Sequence, residues 1–254
     1  SQVGAHVVED ACHAVGARGA NGSAGNLGAM GCFSFFPNKN MTVGEGGMVT
    51  TNSDELEAAL RLLRSHGMTS SSWDRDKGHA YEYDVVRRGY NYRIDEIRSA
   101  IGRVQLGKLP DANARRREVV GWYRERLQGA PVTVPFLDRP DSATSAHVFT
   151  VTTRTKEERD RLNTKLREAD VQTSRHYPPS HLFSIYRNAA AASGSLTRTE
   201  SYSQRVITLP LHPMMTVDQV DRVCDLIKKE LGPDRPSLRR PSRTDGSTNS
   251  TQEA

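Results

Sequence analysis

The sequence is poor in cysteine, in long apolar runs and in any surplus of one charge. Its three cysteines, Cys12, Cys32 and Cys224, are odd in number and form no C-x-x-C pair. They support neither a disulfide framework nor a thiolate metal site, and they read as reduced, small, buried residues of a cytoplasmic protein. No stretch approaches the roughly 18 apolar residues that a membrane span needs. The opening residues, SQVGAH, carry no basic segment followed by an apolar core, so they do not read as a signal peptide. Thirty-five Lys and Arg against thirty Asp and Glu leave a net +5 over 254 residues, too small and too dispersed to point to nucleic acid. Glycines 19, 22, 25, 28 and 31 are spaced by three throughout, so there is no G-x-G-x-x-G. A G-x-x-x-x-G-K-[ST] loop is missing too, and dinucleotide-fold and P-loop readings lose their sequence support. There is no internal repeat.

The first third reads as short strands between glycine-rich turns: Ala5–Glu9, Cys32–Phe36 and Met48–Thr51. A chain that enters a buried strand this early leads one to expect preceding sequence. The run GARGANGSAGNLGAMG between the first two strands fits a loop or tight hairpin. A helix follows, capped by Asn52 or Ser53, faced by Leu56, Leu60 and Leu63 and closed at His66-Gly67. From Tyr92 the spacing of Ile94, Ile97, Ile101 and Val104 predicts one buried helical face. Gly107 and Pro110 are expected to interrupt or kink that helix. A second helical segment, about 112–127, carries Val119, Val120 and Tyr123. Beyond Pro131 the pattern is strand (HVFTVTT), helix (Lys156–Ala169), strand or loop (VQTSRHYPP), helix, strand (RVITLPL) and a last helix. That helix has a Thr216/Gln219 capping box and an apolar face of Val220, Val223, Ile227 and Leu231. Residues 233–254 hold a single large apolar side chain, Leu238, and are expected to be a disordered, solvated tail.

Three clusters carry possible chemistry. In VVEDACHA an apolar strand delivers Asp10 at its C-terminal end, with His13 three residues on; strand C-termini are where α/β sheets bind ligands. In CFSFFPNKNMTVGEGGMV, alternation places Cys32, Ser34 and Phe36 on one face, and Pro37 ends the strand just before Lys39. In RGYNYRIDEIRSAIG, Asn91 stands shortly before the long helix. On spacing alone the bland reading leads for each: Asp10 as a helix cap, Lys39 as a surface-loop lysine and Asn91 as a turn or cap residue. His176 and His181 have no Cys or carboxylate at metal-ligand spacing nearby, and no metal is expected.

As an ordered series, EDACHA, CFSFFPNKNMTVGEGGMV, LRLLRSHG, GYNYRIDEIRSAIGRVQLGKL, RHYPPSHLFSIY and RVITLPLHPMMT closely resemble the DegT/DnrJ/EryC1/StrS family of pyridoxal-phosphate-dependent sugar aminotransferases. The resemblance covers about Ala5 to Leu231. It implies an α/β fold of fold type I: the C-terminal part of a large mixed α/β/α sheet domain (1–110) and a smaller α+β C-terminal domain (111–232). It implies pyridoxal 5'-phosphate as cofactor and Lys39 as the catalytic lysine that forms a Schiff base with it. Asp10 would face the pyridine nitrogen, His13 would sit beside the ring and Ser34 would hold the phosphate. Asn91 would reach the phosphate of a neighbouring subunit's cofactor, which makes the expected assembly a homodimer. Tyr177 and His181, in HYPPSH, would face the substrate. That substrate is a keto sugar, usually nucleotide-linked, or a keto-cyclitol, with glutamate or glutamine as amino donor.

The residue types suit this chemistry. A carboxylate about 4 Å from a protonated ring nitrogen, at an effective dielectric of about 20, contributes roughly 4 kcal/mol, or about three pKa units, which keeps an electron sink charged near neutral pH. Only a primary amine can both form the Schiff base and later move the substrate proton. Family chains carry a substantial stretch before the EDA motif, including a phosphate-binding helix N-terminus; nothing here corresponds to it, so the chain is expected to be a fragment or a truncated form. Other chemistries on the same scaffold remain open: a sugar dehydratase, against which Lys39 argues because a histidine takes its place there, an aromatic amino-acid synthase, and a catalytically silent subunit.

Overall fold

The structure, a computed structural model, describes residues 4–70, 76–78, 81–137, 144–186 and 195–232. The expected tail at 233–254 lies outside them. A three-stranded sheet is formed by β1 (Val8–Asp10), β4 (Met30–Ser34) and β5 (Gly47–Thr50) in the order β1-β4-β5, with β1 parallel and β5 antiparallel to β4. The glycine-rich run contains a small antiparallel hairpin, β2 (Arg18–Gly19) with β3 (Gly22–Ser23), as expected. The Glu9 carboxylate fastens that run to β1 by accepting from the main-chain N–H groups of Gly25, Leu27 and Gly28 at 2.7, 2.6 and 2.8 Å. Those bonds favour the ionised form and hold its pKa below the usual carboxylate value.

The first strand is shorter than the expected Ala5–Glu9, and its burial expectation fails: Val7 and Val8 are 58% and 53% exposed. Among the described strands β1 pairs only with β4, at the edge of its sheet. Helix α1 (Asp54–Leu63) starts where Ser53 Oγ accepts from Leu56 N. It ends at Leu63, and His66-Gly67 closes the turn beyond it, where Gly67 has φ +73° and its N–H donates to Leu62 O. No other residue fits there, because a Cβ on Gly67 would stand 1.9 Å from Arg87 O.

Helix α2 (Glu96–Arg126) runs unbroken for 31 residues, capped by Asp95, whose carboxylate accepts from Arg98 N at 2.8 Å. The expected break at Gly107 and Pro110 does not occur. Pro110 lies on the exposed side, where water can take up the carbonyl that its missing N–H leaves free. The face that α2 buries is also not the expected one. Ile97, Ile101 and Val104 are 76%, 43% and 59% exposed, while Gly102, Leu109, Asn113, Arg116, Val119, Val120 and Tyr123 point inward.

The remaining elements are β6 (Phe149–Thr152), α3 (Lys156–Glu168), α4 (Thr197–Arg205), β7 (Val206–Leu209) and α5 (Val217–Leu231), with two short 3-10 turns at Ser180–Leu182 and Ser184–Tyr186. β6 and β7 pair antiparallel. The capping box on α5 is present as expected: Thr216 Oγ1 accepts from Gln219 N and Gln219 Oε1 accepts from Thr216 N. Two apolar clusters result. Phe35, Met41, Val43 and Leu109 form the smaller. The larger gathers Val119, Val120 and Tyr123 of α2 with residues of β6, α3, β7 and α5, among them Val151, Leu162, Leu166, Val220 and Ile227, none of which is measurably exposed. Each side chain so buried contributes about 1.5–3 kcal/mol of transfer free energy. Arg115, Arg116 and Tyr123 also tie α2 to the stretch after β7, donating to the carbonyls of Pro213 and Met215, Leu211 and Pro210 respectively.

Candidate active site

Asp10 closes β1 and Lys39 stands in the turn after β4, so the parallel pairing of Asp10 with Cys32 delivers both to one end of the sheet. The turn is set by Lys39 N, which donates to Phe36 O at 3.0 Å. Cys12 N donates to Asp10 Oδ1 at 3.1 Å. The Cys12 thiol and this N–H hold the Asp10 carboxyl below its usual range, and the charges of His13 and Lys39 act in the same direction. Lys39 is half-buried, and its side chain makes no hydrogen bond or ion pair with any described residue. Its ammonium nevertheless acts on Asp10, His13, His147 and His176.

His13 is half-buried beside them, its Nε2 3.2 Å from the hydroxyl of Tyr177. Burial pushes the His13 ring below the ordinary histidine value, helped by Lys39 and His176 and opposed by Asp10. Among the described residues Ser34 Oγ accepts only a long 3.4 Å bond from Phe36 N and donates to none. Tyr177 thus joins the Asp10–His13–Lys39 group, whereas His181 does not: its Nε2 lies 3.0 Å from Glu200 Oε1 on α4. Asn91 also stands apart, in a bridge with Ser65 beyond the end of α1.

Several residues of the site carried no sequence signal. The His147 ring packs 4.1 Å from His13, centroid to centroid. Its Nδ1 lies 2.9 Å from Asn40 Oδ1, and its pKa is pushed down to about 3 by burial and then by His13, Lys39, Arg116 and His176. His176 Nδ1 lies 2.7 Å from Thr208 Oγ1, and burial followed by Lys39 lowers its pKa. The site is therefore one ammonium among neutral imidazoles, with one ionised carboxylate at its edge.

The model of the DegT/DnrJ/EryC1/StrS aminotransferase family matches residues 1–228. The chain belongs to that family. It is 36% identical over 228 residues to a dTDP-3-amino-3,4,6-trideoxy-alpha-D-glucose transaminase of Streptomyces venezuelae, covering 89% of this chain and 56% of the relative. It is also 36% identical over 230 residues to a UDP-N-acetyl-3-dehydro-alpha-D-glucosamine 3-aminotransferase of Acidithiobacillus ferrooxidans, covering 90% and 58%. Among solved structures, Helicobacter pylori PseC, an aminotransferase involved in the biosynthesis of pseudoaminic acid, superposes with a TM-score of 0.79 at 27% identity, over 88% of this chain and 58% of that one. The chain thus spans somewhat more than half the length of these DegT-family members, and its α/β architecture is theirs. No described helix is long and apolar enough to cross a membrane.

Proposed function

We propose that this chain acts as a pyridoxal 5'-phosphate-dependent aminotransferase. In this reading it moves an amino group from glutamate or glutamine to a keto sugar, most naturally nucleotide-linked, or to a keto-cyclitol, in the making of amino sugars. The observation that carries the reading is Lys39, a half-buried amine without a partner among the described residues, in electrostatic reach of an ionised Asp10 and flanked by His13. The named activities of the relatives support the nucleotide-sugar class.

The donor set fits the cofactor. When bound, the cofactor supplies an aldehyde that accepts an amine and a pyridine ring that takes up an electron pair. Lys39 Nζ would be the amine that holds the cofactor's aldehyde and would move the proton at the substrate carbon that carries nitrogen. Asp10, ionised well below neutral pH, would hold positive charge at the ring nitrogen. His13 lines one wall of the site and Ser34 would donate to the phosphate. Tyr177 faces the substrate beside His13, whereas His181, held by Glu200 outside that group, would meet a more distant part of it.

Asn91 completes the site of a second copy, and the assembly is a homodimer. The exposed stacked pair Tyr90 and Tyr92, with Ile97, Ile101 and Val104, is the surface read as meeting that copy. The two apolar clusters are read as the cores of the 1–110 and 111–232 domains, and the free thiols suit a reducing cytoplasm. The test is to add pyridoxal phosphate to the purified chain, reduce with borohydride and map the adduct. Labelling at Lys39 that disappears in Lys39→Ala is expected. Labelling spread over surface lysines, with none at position 39, would reject the assignment.

A further inference from the structure

Beside the site, four separate segments of the chain meet in a closed set of polar contacts. Asn40 Nδ2 donates to Asn113 Oδ1 at 2.8 Å and to Ser145 O at 2.6 Å. Asn113 Nδ2 donates to Val15 O at 3.0 Å. Ser145 Oγ donates to His13 O at 2.6 Å. Both Asn113 and Ser145 are 3% exposed, so their groups have little access to water.

The contacts fix hydrogen positions by elimination. Both partners of Asn40 Nδ2 are acceptors, so its carboxamide cannot be flipped, and Asn40 Oδ1 faces His147 as an acceptor. His147 Nδ1 therefore carries the proton that it donates across 2.9 Å, and its Nε2 keeps a lone pair. The groups facing His147 are His13, Lys39, Arg116 and His176, all basic, so the ring stays neutral. That neutral ring is one wall against His13; Tyr177 holds the edge of His13 and Ser145 holds its main chain.

We propose that Asn40 and His147 are positioning residues for the reaction: Asn40 sets the tautomer and tilt of His147, and the His147 ring holds His13 in place beside the cofactor site. The proposal rests on the roles given above to Lys39 and His13. Asn40 is suited to this task because it follows Lys39 directly, so one carboxamide ties the lysine's own turn to α2 and to the segment entering β6.

The test compares His147→Asn, which keeps a donor near the position of Nδ1 but has no ring, His147→Phe, which keeps a ring without a donor, and Asn40→Asp. Each full chain is titrated with pyridoxal phosphate by absorbance, its thermal midpoint is measured, and the His13 ring is followed by NMR against pH. His147→Asn is expected to keep the wild-type midpoint while weakening cofactor binding about tenfold, or about 1.4 kcal/mol, through loss of the ring packed on His13, and to return the His13 titration toward its ordinary value. His147→Phe keeps the wall but loses its anchor and is expected to fall between. Asn40→Asp turns two donors into acceptors and draws a proton onto His147, so its cofactor binding should acquire a pH dependence near neutrality that the wild type lacks. Should Asn40→Asp fail to fold, His147→Asn decides alone. Wild-type affinity and wild-type His13 titration in His147→Asn, with Lys39 still labelled, would overturn the proposal. So would a fall in affinity that merely follows the thermal midpoint through all variants. Absence of any Lys39 adduct in the wild type would instead overturn the function on which the proposal rests.

Discussion

Replacing Asn113 by leucine, of nearly the same shape, is the most direct way to weigh the polar contacts that join the lysine turn to α2. The side chain is 3% exposed and makes two bonds: it accepts from Asn40 at 2.8 Å and donates to Val15 O at 3.0 Å. Leucine leaves one N–H of Asn40 and the Val15 carbonyl unpaired in a dry place, at about 1–3 kcal/mol each. The apolar isostere returns roughly 1.5–2 kcal/mol of burial, so a net loss near 2.5 kcal/mol is expected, or a midpoint about 5–10 °C lower for a chain of this size. Thermal denaturation near neutral pH, followed by the fluorescence of Trp122, which packs against the larger cluster, reads the change. Borohydride labelling of Lys39 at subsaturating cofactor should fall in parallel. A midpoint within about 1 °C of wild type would show that water satisfies those groups and that these hydrogen bonds do not hold the turn.

Three further outcomes follow from other features. Gly16→Ala should be destabilising by about 1–3 kcal/mol, because Gly16 has φ +80° and its Cβ would stand 2.7 Å from Asn113 Nδ2; a thermal melt indistinguishable from wild type would contradict this. Pro110→Ala should stabilise by about 1–3 kcal/mol, since it restores an N–H inside a continuous helix and removes the ring's clash, and a lower urea midpoint would mean that the proline shapes α2. For acid stability the sign comes from His147, whose folded pKa is lowered to about 3 from an ordinary 6.5. The unfolded chain binds the extra proton between those values, so this contribution is complete above about pH 6.5 and is lost as pH falls toward 3, at up to about 1.4 kcal/mol per unit. Unfolding free energies measured from pH 7 to 4 should show a shallower slope in His147→Asn; an equal slope would remove His147 from the account.

What could be read without coordinates was whatever is written locally. The Thr216/Gln219 box, the Ser53 cap, the hairpin in the glycine run and the delivery of Asp10 at a strand end all depend on neighbours within a few residues. Lys39 was singled out as a candidate by the ordered series of motifs around it, including CFSFF before it and GEGG after it. Periodicity, by contrast, reports that a helix has an apolar face and not what covers it: Ile97, Ile101 and Val104 keep their spacing and remain exposed, while α2 buries a face interrupted by Asn113 and Arg116. Pro110 misled because its cost depends on which side of the helix it occupies. Asn40 and His147 were silent for a different reason. They lie 107 positions apart, and a single amide–imidazole contact at that separation leaves no pattern in either neighbourhood. Between Tyr177 and His181, four residues apart in one loop, only the fold shows which reaches His13 and which turns to Glu200.

The unbroken course of α2 has a mechanical consequence. Leu109 sits in one cluster and Val119 in the other, about three turns along the same rod, and no flexible joint separates them. Melting either end strips packing from a spine that the other end shares, so the two halves are expected to lose structure together, as one calorimetric peak with no plateau between them.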